Sequence, residues 1–126
     1  DFIAVQAPQM TKGWTKFLTL PITKVSVDLY ESNLADEFEM INMGLQELRG
    51  STFFKTRMRS CYLWGRGTGN TDSSQLFTER FLTTLLLSPA DRPIALTFLN
   101  IRQLDLSPEF TRRIRLAYPT VNVIAK

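Results

Sequence analysis

A chain of 126 residues with 44% hydrophobic and 21% charged residues is ordinary for one globular domain, and long enough to bury a core without a metal or disulfide to help it. It has no histidine and one cysteine, which excludes an intrachain disulfide, a Cys/His zinc cluster, a Cys-x-x-Cys redox pair and any histidine-dependent catalysis. The net charge of +3 is unevenly spread: residues 1–50 hold four Lys/Arg against seven Asp/Glu, and residues 51–126 hold eleven against five, an asymmetry that reads as an anionic partner for the second half, as an acidic surface docking on a basic one, or as scattered solvated charge.

Asp1 to Thr11, with Pro8, reads as the tail of a linker. The start at Asp1 is consistent with an excised domain or a processed product. This segment lacks the basic start and apolar centre of a secretory signal. No apolar run reaches the 18 residues of a membrane span. With a lone thiol, these features point to a reducing, intracellular, cytoplasmic setting.

Two apolar runs, Trp14 to Leu20 and Thr23 to Tyr30, flank Pro21. The second alternates Val25, Val27 and Leu29 with Lys24, Ser26 and Asp28, the pattern of a half-buried strand. Since proline cannot donate to a ladder, the first run reads as an edge strand or ends where the second begins. From Asn33 the period turns helical, with Leu34, Phe38, Ile41, Leu45 and Leu48 on one stripe. Asn33 is placed to cap, Asp36 and Glu37 to meet the helix dipole, and Gly50 to stop the helix in a left-handed conformation. Met40 and Met43 read as core filling, with a sticky partner face as the other option.

Phe54, Met58 and Tyr62 alternate with Lys55, Arg57 and Arg59, which predicts a strand with one apolar and one basic face, running on to Trp64. Cys61 on it reads as a small buried residue. Gly65 to Asn70 is a glycine-rich loop, and Asp72 with Gln75 resembles a capping box before a helix carrying Phe77, Phe81 and Leu85, closed by Pro89. Ile94 to Leu99 is apolar on both faces and predicts the central strand of a sheet covered on both sides. Ser107, Pro108 and Glu109 start a last helix, with Phe110, Ile114 and Ala117 buried and Pro119 ending it, before a strand from Val121 to Ile124. The order predicts an α/β fold, one layered domain with a mixed or parallel sheet of four to six strands flanked by about three helices.

Three groups could carry function. The loop holding Arg66, Gly67, Gly69 and Asn70 lies between a strand and a helix, where exposed amides attract phosphate, but G-x-G-x-G is neither a dinucleotide fingerprint nor a P-loop. It reads first as a turn, with anion binding in a nucleotide-using enzyme as the alternative. Lys55, Arg57 and Arg59 with Arg112, Arg113 and Arg115 could grip a nucleic acid backbone, as in an RNA- or nucleocapsid-associated protein of viral or other origin, or could form a solvated face. Asp105 and Ser107 have no general base beside them, so Ser107 reads as a helix cap. No cofactor or metal is expected.

From about Phe53 to Lys126 the order is two strands, a capped helix, a central strand, a turn, a helix and a strand. Thr71 to Ser74 open the first helix, Arg92 to Ile101 form the strand, Asp105-Leu106-Ser107 the turn, and Tyr118 to Val123 the last connection. This segment resembles the STAS domain, the anti-anti-sigma-factor fold, and its shorter relatives, while residues 1–50 lie outside the match. The resemblance implies a non-enzymatic module that docks on a protein partner or on itself, with a phosphorylated serine at the position of Ser107, just after Asp105. The chain departs from the family pattern at Leu106, where serine is usual, and at Pro108, and the family's closing helix has no counterpart.

Overall fold

The structure, a computed structural model, describes residues 2–29, 37–65, 72–90 and 92–126. Five strands, β1 (Phe2–Gln6), β2 (Lys24–Asp28), β3 (Ser60–Trp64), β4 (Phe98–Asn100) and β5 (Asn122–Ile124), form a single sheet. Each pairs in parallel with the next, so spatial order equals chain order. The fold is therefore α/β with a wholly parallel sheet.

This order has a geometric consequence. Parallel neighbours need a crossover, and right-handed crossovers that always step in the same direction all fall on one face of the sheet. Burial agrees with that rule. Two 3-10 turns (Ala7–Gln9 and Trp14–Phe17) carry the chain from β1 to β2, and helices α1 (Phe38–Gly50), α2 (Asp72–Leu86) and α3 (Pro108–Ala117) make the next three crossings. Their buried residues join Val25, Val27, Cys61, Leu63, Leu99 and Val123 of the sheet in one core.

Within that core α1 contributes Ile41, Leu45 and Leu48, α2 contributes Phe81, Leu82, Leu85 and Leu86, and α3 contributes Phe110 and Ile114. Fully burying such a side chain stabilises the fold by about 1.5–3 kcal/mol. The Phe38 ring stacks on Phe81 at 4.8 Å between centroids, which ties the start of α1 to α2. Gly44 lets the first crossover sit tightly on α1. A Cβ there would lie 2.6 Å from Met10 Cβ, and its carbonyl accepts the Trp14 indole N–H at 3.0 Å. Gly13, at φ +80°, turns its N–H onto the Glu47 carboxylate.

Several expectations need correction. The segment read as a linker tail supplies the edge strand β1. Trp14 to Leu20 holds a 3-10 turn rather than a strand: Trp14 and Leu18, four apart, are buried, while Phe17 and Leu20 are exposed. Gly50 is the last helical residue of α1 rather than a left-handed stop, and the helix ends on extended Ser51, whose N–H and hydroxyl both donate to the Leu48 carbonyl. Asn33 and Asp36 lie outside the described residues. The strand expected from Phe54 begins only at Ser60. Before it, Phe53–Arg57 forms a π-helical turn closed by Met58 N–H to Phe53 O at 2.8 Å. β4 covers only Phe98–Asn100, with Ile94 82% exposed, and the central strand is β3. Asp72 is the first residue of α2, and the Gln75 amide donates to Asp105.

Candidate interaction surface

Side chains alternate across a strand, so every residue between two core residues points to the other face of the sheet. The strand register arranges these into rows. Phe2, Lys24, Ser60, Phe98 and Asn122 lie side by side, then Ala4, Ser26, Tyr62, Asn100 and Ile124, then Gln6, Asp28 and Trp64. All are exposed or half-buried except Asp28, and no described element crosses them. Purely parallel sheets are ordinarily covered on both faces. Here no described element covers one of the two faces.

That face carries a chain of ring contacts. Lys24 Nζ lies 5.7 Å from the centre of the Phe2 ring and 5.4 Å from that of Tyr62, and the Tyr62 and Phe98 rings meet at 5.4 Å. Trp64 is 40% exposed and is fixed by its indole N–H, which donates to Ser26 Oγ at 2.9 Å. Trp64 lines both of two grooves toward the carboxyl ends of the strands. One, of about 420 Å³, lies over Ala4, Gln6, Gln9, Ser26 and Asp28. The other, of about 210 Å³, lies over Tyr62, Asn100 and Gln103.

The residues singled out from the sequence fall elsewhere. Lys55, Arg57 and Arg59 do not share a strand face. Lys55 is half-buried in the π-helical turn, and Arg57 donates to the Leu18 carbonyl at 2.6 Å and lies over the Phe53 ring. Arg59 is exposed just ahead of β3. On α3, Arg112 and Arg113 are exposed, Arg113 lies over the Phe110 ring, and Arg115 donates to the Val123 carbonyl at 2.9 Å. Ser107 caps α3, its Oγ accepting from Phe110 N–H at 3.1 Å while its own N–H donates to Glu79 at 2.7 Å. Asp105 is exposed and accepts from the Gln75 amide at 3.4 Å. Arg66, Gly67, Gly69 and Asn70 lie outside the described residues.

Met40 and Met43 are exposed instead of filling the core, and with Met10 and Gly44 they line a groove of about 250 Å³. Cys61 is wholly buried, and that burial pushes its thiol up to about 12. Tyr118 is pushed to about 12 as well, by burial first, with Cys61 adding to the rise and Arg92 opposing it. Its hydroxyl donates to the Leu86 carbonyl. Neither group has the character of a nucleophile at neutral pH. Among the described residues, no three side chains that ligate metals come together, and no helix is long and apolar enough to cross a membrane.

The open-face row is what sequence reading missed. Its signal was partly visible as Lys24-x-Ser26-x-Asp28 and as Tyr62-x-Trp64, but the register that sets Phe2, Lys24, Tyr62 and Phe98 together is a property of the folded sheet. No family model matches the chain, nor does any curated protein or solved structure.

Proposed function

We propose that the chain is a non-enzymatic interaction module that recognises its partner through the open face of its parallel sheet. The single observation behind this reading is the set of alternate residues on all five strands that no described element covers, with the Phe2, Tyr62, Trp64 and Phe98 rings among them. Exposed clusters of aromatic residues on a rigid scaffold are characteristic of recognition surfaces. The resemblance to STAS domains supports the same class of protein, one that docks rather than reacts. The surface preferred here is the sheet face, because the Ser107 hydroxyl and the Asp105 carboxylate already hold structural contacts.

The test is retention of native-extract material on the immobilised chain, with and without nuclease, against Trp64→Glu on the open face and Arg112→Glu on α3. We expect Trp64→Glu to abolish retention and Arg112→Glu to preserve it. Equal retention by all three proteins would remove the open face from the reading. Loss with Arg112→Glu alone would favour a second reading, an anionic partner on α3, which the exposure of Arg112 and Arg113 supports.

A further inference from the structure

We infer that the partner of the open face is a single-stranded nucleic acid, stacked on the Phe2, Tyr62 and Phe98 rings with Lys24 between them. This rests on the reading of the sheet face as the recognition surface and specifies its ligand.

The chemistry of the face discriminates between partners. The dry centre of a protein interface combines rings with aliphatic side chains and few charges. Here the rings share their rows with Lys24, Ser26, Ser60, Asn100 and Asn122, and Ala4 and Ile124 are the only aliphatic members of the three rows. Flat rings with polar groups between them suit planar bases, which stack without regard to sequence and offer edges to nearby amides and hydroxyls. The four strands from Phe2 to Phe98 span about 14 Å, room for about three bases.

Charge points the same way. Lys24 Nζ sits against two rings, placing a cation where the sugar-phosphate chain of a stacked strand would pass. Arg102 and Lys126, two residues beyond the carboxyl ends of β4 and β5, are exposed. Among the described residues no exposed acidic side chain lies on a strand, since Asp28 is only 7% accessible. The face thus carries Lys24 among its rings, with Arg102 and Lys126 just beyond two of its strands, a combination complementary to a polyanion with flat bases. A duplex, with its bases already paired and stacked, offers this surface much less.

The test is fluorescence anisotropy with a labelled mixed-sequence 12-mer, as RNA, as DNA and as an RNA duplex. We expect at least one single strand to bind with Kd on the order of 10 µM at 50 mM salt, and the duplex to bind about tenfold more weakly. If Lys24, Arg102 and Lys126 each meet a phosphate, affinity should fall about 20-fold between 50 and 200 mM salt. Tyr62→Leu and Lys24→Gln should each weaken binding about tenfold, with Arg112→Gln on α3 within about twofold of the parent. Two variants of different chemistry guard against one that fails to fold, and thermal melting checks both.

Equal affinity for single strand and duplex, or unchanged binding by both variants, would overturn the inference. If neither single strand binds but Trp64→Glu still abolishes retention of extract proteins, the nucleic acid inference fails and the interaction module stands. If nothing depends on the open face, both fall.

Discussion

The two faces of the sheet are built from alternate residues of the same five strands, yet one is packed beneath three helices and the other is covered by no described element. Stepping one residue along β3 exchanges Cys61 and Leu63, both buried, for Tyr62 and Trp64. On β2 the same step exchanges Val25 and Val27 for Lys24 and Ser26. Strand backbones and hydrogen bonds are common to both faces, so the difference lies wholly in side chains and in crossovers that keep to one side. Stability is concentrated on the covered face. The open face is free to carry rings and charge because the core does not depend on them.

That contrast can be broken most severely from the covered side. Leu99→Ala, at the buried centre of β4, should cost about 2–5 kcal/mol, read as a loss of unfolding free energy in urea. Alkali attacks the same layer. The unfolded thiol of Cys61 titrates near 9.0 and the phenol of Tyr118 near 10.0, whereas burial raises both to about 12 in the fold. Both groups then favour the folded state fully below pH 9, and their contribution is lost as pH rises through 12. We expect the melting temperature to fall across that window, and Cys61→Ala to reduce the fall.

Gly44→Ala sharpens the comparison at the outer layer. Alanine is the better helix former by about 1 kcal/mol, but its Cβ would press on Met10, so a net loss of about 1–3 kcal/mol should appear in thermal melts. Ser107→Ala, which removes the α3 cap, should cost about 1 kcal/mol by the same measurement. Trp64→Ser, on the open face, should cost about 1 kcal/mol or less while changing what the protein binds. A loss as large as that of Leu99→Ala would mean that the face is not open.

Much of the fold was legible because helices announce themselves over many residues. The stripe from Phe38 to Leu48, the Ser107-Pro108-Glu109 start and the alternation through Val25 and Val27 each led to the observed element. The failures share a cause, since short apolar runs fit more than one period. Phe54 and Met58 lie four apart with polar Thr56 between them, and this spacing served a helical turn rather than a strand. Ile94 looked like core because its neighbours are apolar, but β4 starts four residues later. β1 was missed because a terminal segment with Pro8 resembles a tail, and only pairing with β2 makes Phe2–Gln6 a strand. The candidate site was hidden for a further reason: an apolar run predicts cover on both faces, and nothing local in a sequence states that all crossovers fall on one side.

The one-sided sheet is tested most directly by acrylamide quenching of its two tryptophans, isolated in turn by Trp14→Phe and Trp64→Phe. Trp14, within the first crossover, is 4% exposed, and Trp64 is 40% exposed on the open face. We expect Trp64 to be quenched several-fold more strongly than Trp14 in folded protein, with the difference lost in urea. Equal protection of the two indoles in the native state would contradict an uncovered face.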